Sequence, residues 1–187
     1  MASNKLRMTA IQKKLRVFVV LLPALIFCVS LTQNAIVYEY KGKQSHSSIS
    51  VFLMGGTAIL GGGLLEWLIW LANPIAFVSC IRFLKETNLQ YRIEPVLRIP
   101  IPNPKPSSHW ISIIAAATAW SFSFWNEILA AESGTKGKIL GFGSGYWLWV
   151  SSLIALSFSI NIYYLYLDKV STELKLLSPT EGNTPSN

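Results

Sequence analysis

Charged side chains are scarce in this sequence. Only 13% of its 187 residues are Asp, Glu, Lys or Arg, whereas 51% are hydrophobic. Soluble domains carry roughly 25% charged residues, so this scarcity excludes an ordinary water-soluble domain and indicates that lipid is the main solvent. The length allows one domain at most, because several membrane spans and their connections use it up.

Cysteine and histidine are also rare, with two residues of each. Cys28 lies inside the first apolar run and Cys80 lies just past the second, so we expect neither a disulfide nor a thiolate metal site. His46 and His109 fall on opposite sides of the predicted membrane and cannot form a metal pair. No Ser-His-Asp, His-Glu-x-x-His or Cys-His arrangement is present. We therefore expect no cofactor and no enzymatic activity.

Four apolar runs are present, and each is long enough to cross a bilayer. A helix needs about 20 residues to span a hydrocarbon core of ~30 Å. The runs therefore predict an all-α membrane protein, a four-transmembrane-helix bundle, with spans at about Val17–Val37, Ile49–Ala72, Trp110–Ala131 and Phe142–Leu167.

The positive charges predict the orientation of these spans. The net charge is +7, and the Lys and Arg residues sit in short patches beside the apolar runs, which favours topology determinants over a nucleic-acid surface. Residues 1–16 form a basic amino terminus, and 86–109 form a proline-rich loop that follows further basic residues. We expect both on the cytoplasmic side, together with the tail 169–187, whose end is polar and predicted to be disordered.

Two alternatives concern the ends of the first two spans. The amino terminus could be a cleaved signal peptide, but Gln33 disrupts a small-residue cleavage site before Ile36, which favours an uncleaved span. Hydrophobicity also continues past Asn73-Pro74. We predict that Pro74 breaks the helix and that Ile75–Lys85 forms a kinked helix at the membrane interface, because a fifth span would be too short.

Small residues in three of the spans predict close helix packing. Lipid gives little hydrophobic drive for helix association, so small side chains that allow close approach are favoured at such contacts. A Gly-rich span that is unwound and lines a substrate path is the functional alternative. The predicted packing residues are Gly55, Ala58 and Gly62 in the second span, Ala115 and Ala119 in the third, and Ser152, Ala155 and Ser159 in the fourth.

Glu66 is the one ionisable residue well inside a predicted span. A charged group facing lipid costs ~2.5 kcal/mol or more, so we expect Glu66 to face the bundle. Glu66 lies six residues before Ala72 and Asn161 lies six before Leu167, which predicts similar depths. We therefore predict an intramembrane polar site in which Asn161 or Ser112 donates to Glu66. A structural hydrogen bond and a proton or cation relay both remain open.

The segment GFGSG at 141–145 has the glycine content of a phosphate-binding loop. It lacks the Lys-Ser/Thr pair that should follow, and no strand is predicted before it. We interpret it as a flexible connection into the fourth span.

Two longer segments resemble a known bacterial pattern. ISVFLMGGTAILGGGLLEWLIWLANPI at 49–75 resembles a Gly-rich span that ends in Trp-Leu-Ala-Asn-Pro, and GKILGFGSGYWLWVSSLIAL at 137–156 resembles its partner. Both occur in a family of small uncharacterised four-transmembrane-helix proteins of bacterial inner membranes. Glu66 and Trp67 depart from that pattern. The resemblance implies a multi-pass protein of the bacterial cytoplasmic membrane and implies no activity.

Three functions remain compatible with these observations. The first is a non-enzymatic accessory or interaction subunit that acts through helix packing, with the lipid bilayer and a membrane-protein partner or a second copy as its contacts. The second is a small transporter or channel that uses Glu66 as an intramembrane relay. The third is an immunity-type protein that protects the membrane from a toxin. A nucleic-acid partner is not expected.

Overall fold

The computed structural model describes residues 10–93, 106–131 and 134–177. These residues are mostly helical and include one four-stranded sheet. In chain order the elements are α1 Ala10–Leu31, β1 Asn34–Glu39, β2 Lys43–Ser47, α2 Ser48–Gly55, a 3₁₀ turn Ala58–Gly61, α3 Leu64–Trp70, α4 Ala72–Ile93, α5 Ser107–Ser121, a 3₁₀ turn Phe122–Phe124, β3 Glu127–Leu129, β4 Lys136–Phe142 and α6 Ser144–Leu177.

The sheet is a feature that the sequence analysis did not predict. Its strands are antiparallel in the order β2-β1-β4-β3. Ile36 and Tyr38 of β1 are buried, and the exposed positions of this strand carry the polar residues Asn34 and Glu39. The turn between β1 and β2 uses positive φ angles at Lys41 and Gly42, which suits a short hairpin because glycine adopts this conformation freely.

Four long helices pack side by side below the sheet. Helix α1 packs on α6, α6 on α5, and α5 on α4. The strands join α1 to α2 and α5 to α6, so one end of the bundle lies against the sheet. We call this the sheet end, and we call the opposite end the Glu86 end.

Among the described residues, three helical segments are long and apolar enough to cross a membrane. They are Ile11–Leu31, Leu64–Asn88 and Ser144–Val170. Helix α5 is shorter, with 15 residues. Three helices have other limits than the predicted spans, because apolar residues at the span ends belong to the sheet. The span predicted to end at Val37 ends at Leu31, before β1, and the span predicted to end at Ala131 ends at Ser121, before β3. The span predicted to begin at Phe142 begins at Ser144, after β4.

The predicted second span, Ile49–Ala72, is not a continuous helix. Helix α2 ends at Gly55, a 3₁₀ turn follows, and Gly62 has a φ of +86°. Left-handed backbone at Gly62 stops the helix, which restarts at Leu64 as α3. The chain therefore folds back on itself, and the apolar segment that is long enough to span begins at Leu64.

The predicted kinked interfacial helix at Ile75–Lys85 is not a separate element. These residues belong to α4 and lie inside the candidate span Leu64–Asn88. Pro74 is the third residue of α4, where the missing N–H is not needed by the helix. The backbone N–H of Ile75 donates to the carbonyl of Leu71 at 3.0 Å, so α3 runs into α4 almost without interruption.

The segment GFGSG is a tightly packed crossing rather than a flexible connection. The backbone N–H of Gly143 donates to the carbonyl of Ala35 at 2.8 Å. A Cβ atom at Gly143 or Gly145 would collide with the carbonyl oxygen of Asn34, and one at Gly145 would also collide with the Ser48 hydroxyl. Glycine is required here because β1 and α6 approach closely.

Other parts of the predicted organisation lie partly outside the described residues. Residues 10–16 are helical, as are 86–93 of the predicted loop and 169–177 of the predicted tail. The remainder of the basic amino terminus, the proline-rich stretch at 94–105 and the end of the tail at 178–187 lie outside the described residues.

Candidate functional site

Glu66 lies in the first turn of α3, at the sheet end of the bundle. Its Oε1 atom accepts a hydrogen bond of 2.8 Å from the backbone N–H of Leu129 in β3. A carboxylate in the first turn of a helix is also favoured by the helix dipole. Glu66 therefore joins α3 to the sheet.

Asn161 and Ser112 lie elsewhere, which corrects the predicted polar site. Asn161 is about 26 Å along α6 from its start at Ser144, at 1.5 Å per residue. Its side-chain nitrogen donates to the carbonyl of Ser157 at 2.6 Å. The hydroxyl of Ser112 donates to the carbonyl of His109 at 2.8 Å and lies 3.5 Å from the Ser157 hydroxyl. The predicted depth of Glu66 assumed a straight second span, whereas the chain reverses before α3.

The glycines of the second predicted span do not line one helix face. Gly55 and Gly56 pack against the indole of Trp70, where a Cβ atom would collide with the ring. Ala58 lies in the 3₁₀ turn, and Gly62 is exposed in the left-handed conformation. These glycines allow α2 to fold against α3 rather than allowing two long helices to approach. Of the two interpretations of this stretch, the unwound segment agrees better with the structure, because the helix is interrupted between Gly55 and Leu64.

The small residues of α5 and α6 do lie at helix contacts. Ala115 and Ala119 are buried, and the carbonyl of Ala119 accepts a 3.1 Å hydrogen bond from the Tyr146 hydroxyl of α6. The Ser159 hydroxyl contacts the carbonyl of Val19 in α1 at 3.2 Å and that of Ala155 at 2.6 Å. Ser152 is also buried. Close approach of α6 to both neighbours follows from these small side chains.

An apolar cavity of about 90 Å³ lies at the sheet end, between α1, α2, α3 and α6. Phe27, Phe52 and Trp149 contribute aromatic rings to its wall, and Glu66 lies at its border. The polar edges of its two indoles are satisfied inside the wall, because the Trp70 nitrogen donates to the carbonyl of Phe52 and the Trp149 nitrogen donates to Asn73, both at 2.8 Å. The cavity surface is therefore almost entirely hydrocarbon.

A second carboxylate, Glu86 of α4, organises the opposite end of the bundle. It accepts hydrogen bonds from the hydroxyls of Ser107 at 2.7 Å, Ser108 at 2.5 Å and Tyr164 at 2.8 Å. The backbone N–H groups of Ser107 and Ser108 also point to it, at 3.1 and 3.4 Å. We call these four residues the Glu86 cluster. It joins α4, the start of α5 and α6.

The Glu86 cluster is not predicted from the sequence, because Glu86 falls at the start of the predicted proline-rich loop. A signal was present: the first turn of a helix has unpaired N–H groups and favours a nearby carboxylate. Pro106-Ser107-Ser108 is a typical helix start, but the sequence offers both Glu86 and Glu94 before it as the acidic partner. Its partner could not be identified without knowing that α4 continues to Ile93.

Arg16 of α1 joins α1 to α4 at the Glu86 end. Helices α1 and α4 lie at the two ends of the packed series and have few contacts with each other. The guanidinium of Arg16 donates to the carbonyl of Leu84 at 2.8 Å and to the side chain of Asn88 at 3.3 Å. Arg82 adds a hydrogen bond of 2.7 Å to the Ser107 hydroxyl.

The sheet carries the remaining titratable groups of interest. His46 of β2 stacks on the ring of Tyr38, with ring centroids 4.8 Å apart, and partial burial lowers the pKa of His46 below its usual 6.5. Tyr38 donates to Gln44 at 2.9 Å. Lys136 and Glu127 form an exposed ion pair at 3.5 Å. These contacts join neighbouring strands of the sheet.

The polar contacts described above hold helices and strands together. Among the described residues no group of three or more His, Cys, Asp or Glu side chains could hold a metal ion. Cys28 and Cys80 are both free thiols. Both carboxylates within the candidate span Leu64–Asn88 accept hydrogen bonds from neighbouring elements, which is a structural use of these groups.

Comparison of the chain with known proteins finds no relative. No family model matches the chain, so the resemblance to small bacterial four-span proteins stays a prediction. Neither the curated proteins nor the solved structures include a match.

Proposed function

We propose that the protein is a four-span protein of a bacterial inner membrane, with both termini in the cytoplasm and with α5 as a span in addition to the three candidate segments. Helix α5 and its 3₁₀ turn together extend about 28 Å, close to the ~30 Å of a hydrocarbon core. Lys13, Lys14 and Arg16 near the start of α1, with Arg82 and Lys85 in α4, support a cytoplasmic Glu86 end.

Labelling with a membrane-impermeant maleimide tests this topology. In a background with Cys28→Ser and Cys80→Ser, we expect Ser45→Cys in β2 to react in intact cells. The matched variant Lys85→Cys is expected to react only after the membrane is permeabilised. Labelling of Lys85→Cys alone in intact cells would contradict the orientation.

Within that membrane, the proposed role is that of a non-enzymatic accessory or interaction subunit. The observation that carries this proposal is the use of both carboxylates for packing: Glu66 binds the sheet, and Glu86 binds the starts of α5 and the side of α6. Carboxylates that hold helices and strands in place suit a protein that acts by binding other membrane proteins through its surface, rather than by an internal reaction.

Mass measurement of the solubilised protein tests this role. Extracted from its native membrane in mild detergent, the protein should elute as an assembly whose protein mass exceeds the 20.8 kDa of one chain. Native cross-linking before extraction should give the same assembly, which controls for association in the micelle. A single chain in both experiments would contradict the proposal.

A transporter or channel is the second candidate, because Glu66 borders the apolar cavity. Proton and cation flux into liposomes should be compared for the unmodified protein, Glu66→Gln, and the exposed control Glu127→Gln. Flux that Glu66→Gln abolishes and Glu127→Gln preserves would support a relay. Background flux in all three would exclude the relay.

A further inference from the structure

The apolar cavity at the sheet end is closed by side chains on most sides and partly open. It extends from β1 to Asn73, which lies about 14 Å along the helix from Leu64 at 1.5 Å per residue. The cavity therefore occupies the half of the bundle next to the sheet, at the depth of one lipid leaflet if Leu64–Asn88 spans the membrane.

The lining of the cavity identifies the chemistry of an occupant. The indole nitrogens of Trp70 and Trp149 already donate within the wall, and the Tyr146 hydroxyl donates to Ala119. Among the described residues that line the cavity, the Ser48 hydroxyl is buried without a hydrogen-bond partner, and Glu66 lies at the border. One hydroxyl is fewer than the two to four polar partners that a buried water needs, and apolar cavities of this kind stay dry or bind small hydrocarbons. A volume of about 90 Å³ suits a few methylene groups rather than a large ring system.

The position of the cavity identifies the source of that hydrocarbon. Helices α1 and α4 end the packed series without packing along each other, and α2 lies in the space between α1 and α3 at the sheet end. The outward side chains around this space, Leu25 and Val29 of α1 and Leu53 of α2, are more than half exposed. In a membrane these side chains face lipid, so acyl chains are the hydrocarbon next to the cavity.

We propose that the cavity binds the terminal part of one acyl chain of a membrane lipid from the leaflet on the sheet side. The glycines of the α2–α3 turn make this site, because Gly55 and Gly56 let Trp70 form one wall. The proposal rests on membrane insertion of Leu64–Asn88 and does not depend on the accessory role.

Photolabelling in nanodiscs tests the site. The probe is a phosphatidylcholine with a diazirine near the end of one acyl chain, and labelled residues are mapped by mass spectrometry. We expect adducts on Phe52, Trp70 and Trp149 as well as on the exposed periphery. Adducts confined to exposed residues such as Leu60 and Phe77 would overturn the proposal.

Filling the cavity gives the matched comparison. Val51→Phe on α2 and Ile69→Phe on α3 each place a ring into the space from opposite walls. Either should reduce labelling of Trp149 roughly tenfold, the change expected for displacing about two buried methylenes. Leu53→Phe, on the exposed face of α2, should leave labelling unchanged and controls for the added ring.

Three further results of these experiments would each contradict the proposal. Unchanged labelling of Trp149 in both filling variants would overturn the proposal, and peripheral labelling shows that each variant is inserted. A free diazirine-bearing alkane that labels Trp149 when the lipid probe does not would assign the cavity to a small apolar molecule, against the acyl chain. Failure of the nanodisc particles to incorporate the unmodified protein would contradict membrane insertion itself.

Discussion

Strand pairing and aromatic packing close the sheet end of the bundle, whereas the Glu86 end is closed by charged and hydroxyl groups. At the sheet end, Phe122, Phe142 and Tyr146 form a group of ring contacts below the strands. At the other end, Glu86 joins α4 to α5 and α6, and Arg16 joins α1 to α4. The two ends of the bundle are therefore held by different interactions, tight backbone crossings at the sheet end and side-chain hydrogen bonds at the Glu86 end.

The largest effect is expected at the β4–α6 crossing. Gly145→Ala places a methyl group against the Ser48 hydroxyl and the Asn34 carbonyl, so the backbone must shift. We expect a loss of stability of about 3 kcal/mol, at the upper end for overpacking, seen as a lower Tm in detergent. Gly141→Ala is the matched control, because nothing lies within 4 Å of its added carbon. An equal Tm for both variants would show that the crossing is not tight.

Removal of the second carboxylate should break the Glu86 end. Glu86→Ala leaves the Ser107, Ser108 and Tyr164 donors without their acceptor, and we expect a loss of about 2 kcal/mol. Hydrogen exchange should accelerate at the start of α5 while β1 keeps its protection. Lys85→Ala, one residue away and exposed, should leave exchange unchanged. Uniform acceleration in both regions would contradict the independence of the two ends.

Loss of Glu66 should have a smaller effect, restricted to the sheet end. A single hydrogen bond joins it to Leu129, so Glu66→Ala should cost about 1 kcal/mol and speed exchange of the Leu129 amide. Glu66→Gln keeps an oxygen acceptor and should retain most of the protection. Faster exchange at Ser108 instead of Leu129 would mean that Glu66 lies at the other end.

The smallest effect is a pH dependence of the sheet through His46. Burial lowers its pKa in the folded protein, so folding favours the neutral ring. The corresponding stability is fully present above pH 6.5 and is lost as the pH falls through the folded-state pKa. Amide exchange in β1 and β2 should accelerate over that range, and His46→Gln should remove this component. The same acceleration in His46→Gln would assign it to other groups.

Much of the helical architecture could be predicted from hydropathy, because α1, α5 and α6 each overlap an apolar run. The ends of those runs could not be predicted. Ala35 and Ile36 are as apolar as membrane residues, yet they belong to strand β1 and are buried inside the protein. Hydropathy measures exclusion from water and does not distinguish lipid from a protein interior.

The candidate site was harder to predict than the helices. Glycines at helical spacing allow either close packing of two helices or a reversal of the chain, and the positive φ at Gly62 decides for reversal. That one turn moves Glu66 from the predicted depth of Asn161 to the sheet. Ala119 and Ser159 could be predicted because a continuous helix keeps its spacing.

A nuclear Overhauser measurement on the protein in detergent tests the chain reversal between α2 and α3 most directly. In the folded-back arrangement, the Trp70 indole lies against Gly55, and its N–H donates to Phe52. We predict cross-peaks between the Trp70 indole protons and Gly55. In a continuous second span these residues would be about 22 Å apart. Absence of those cross-peaks, together with unbroken helical contacts from Gly55 to Leu64, would contradict the chain reversal on which the account depends.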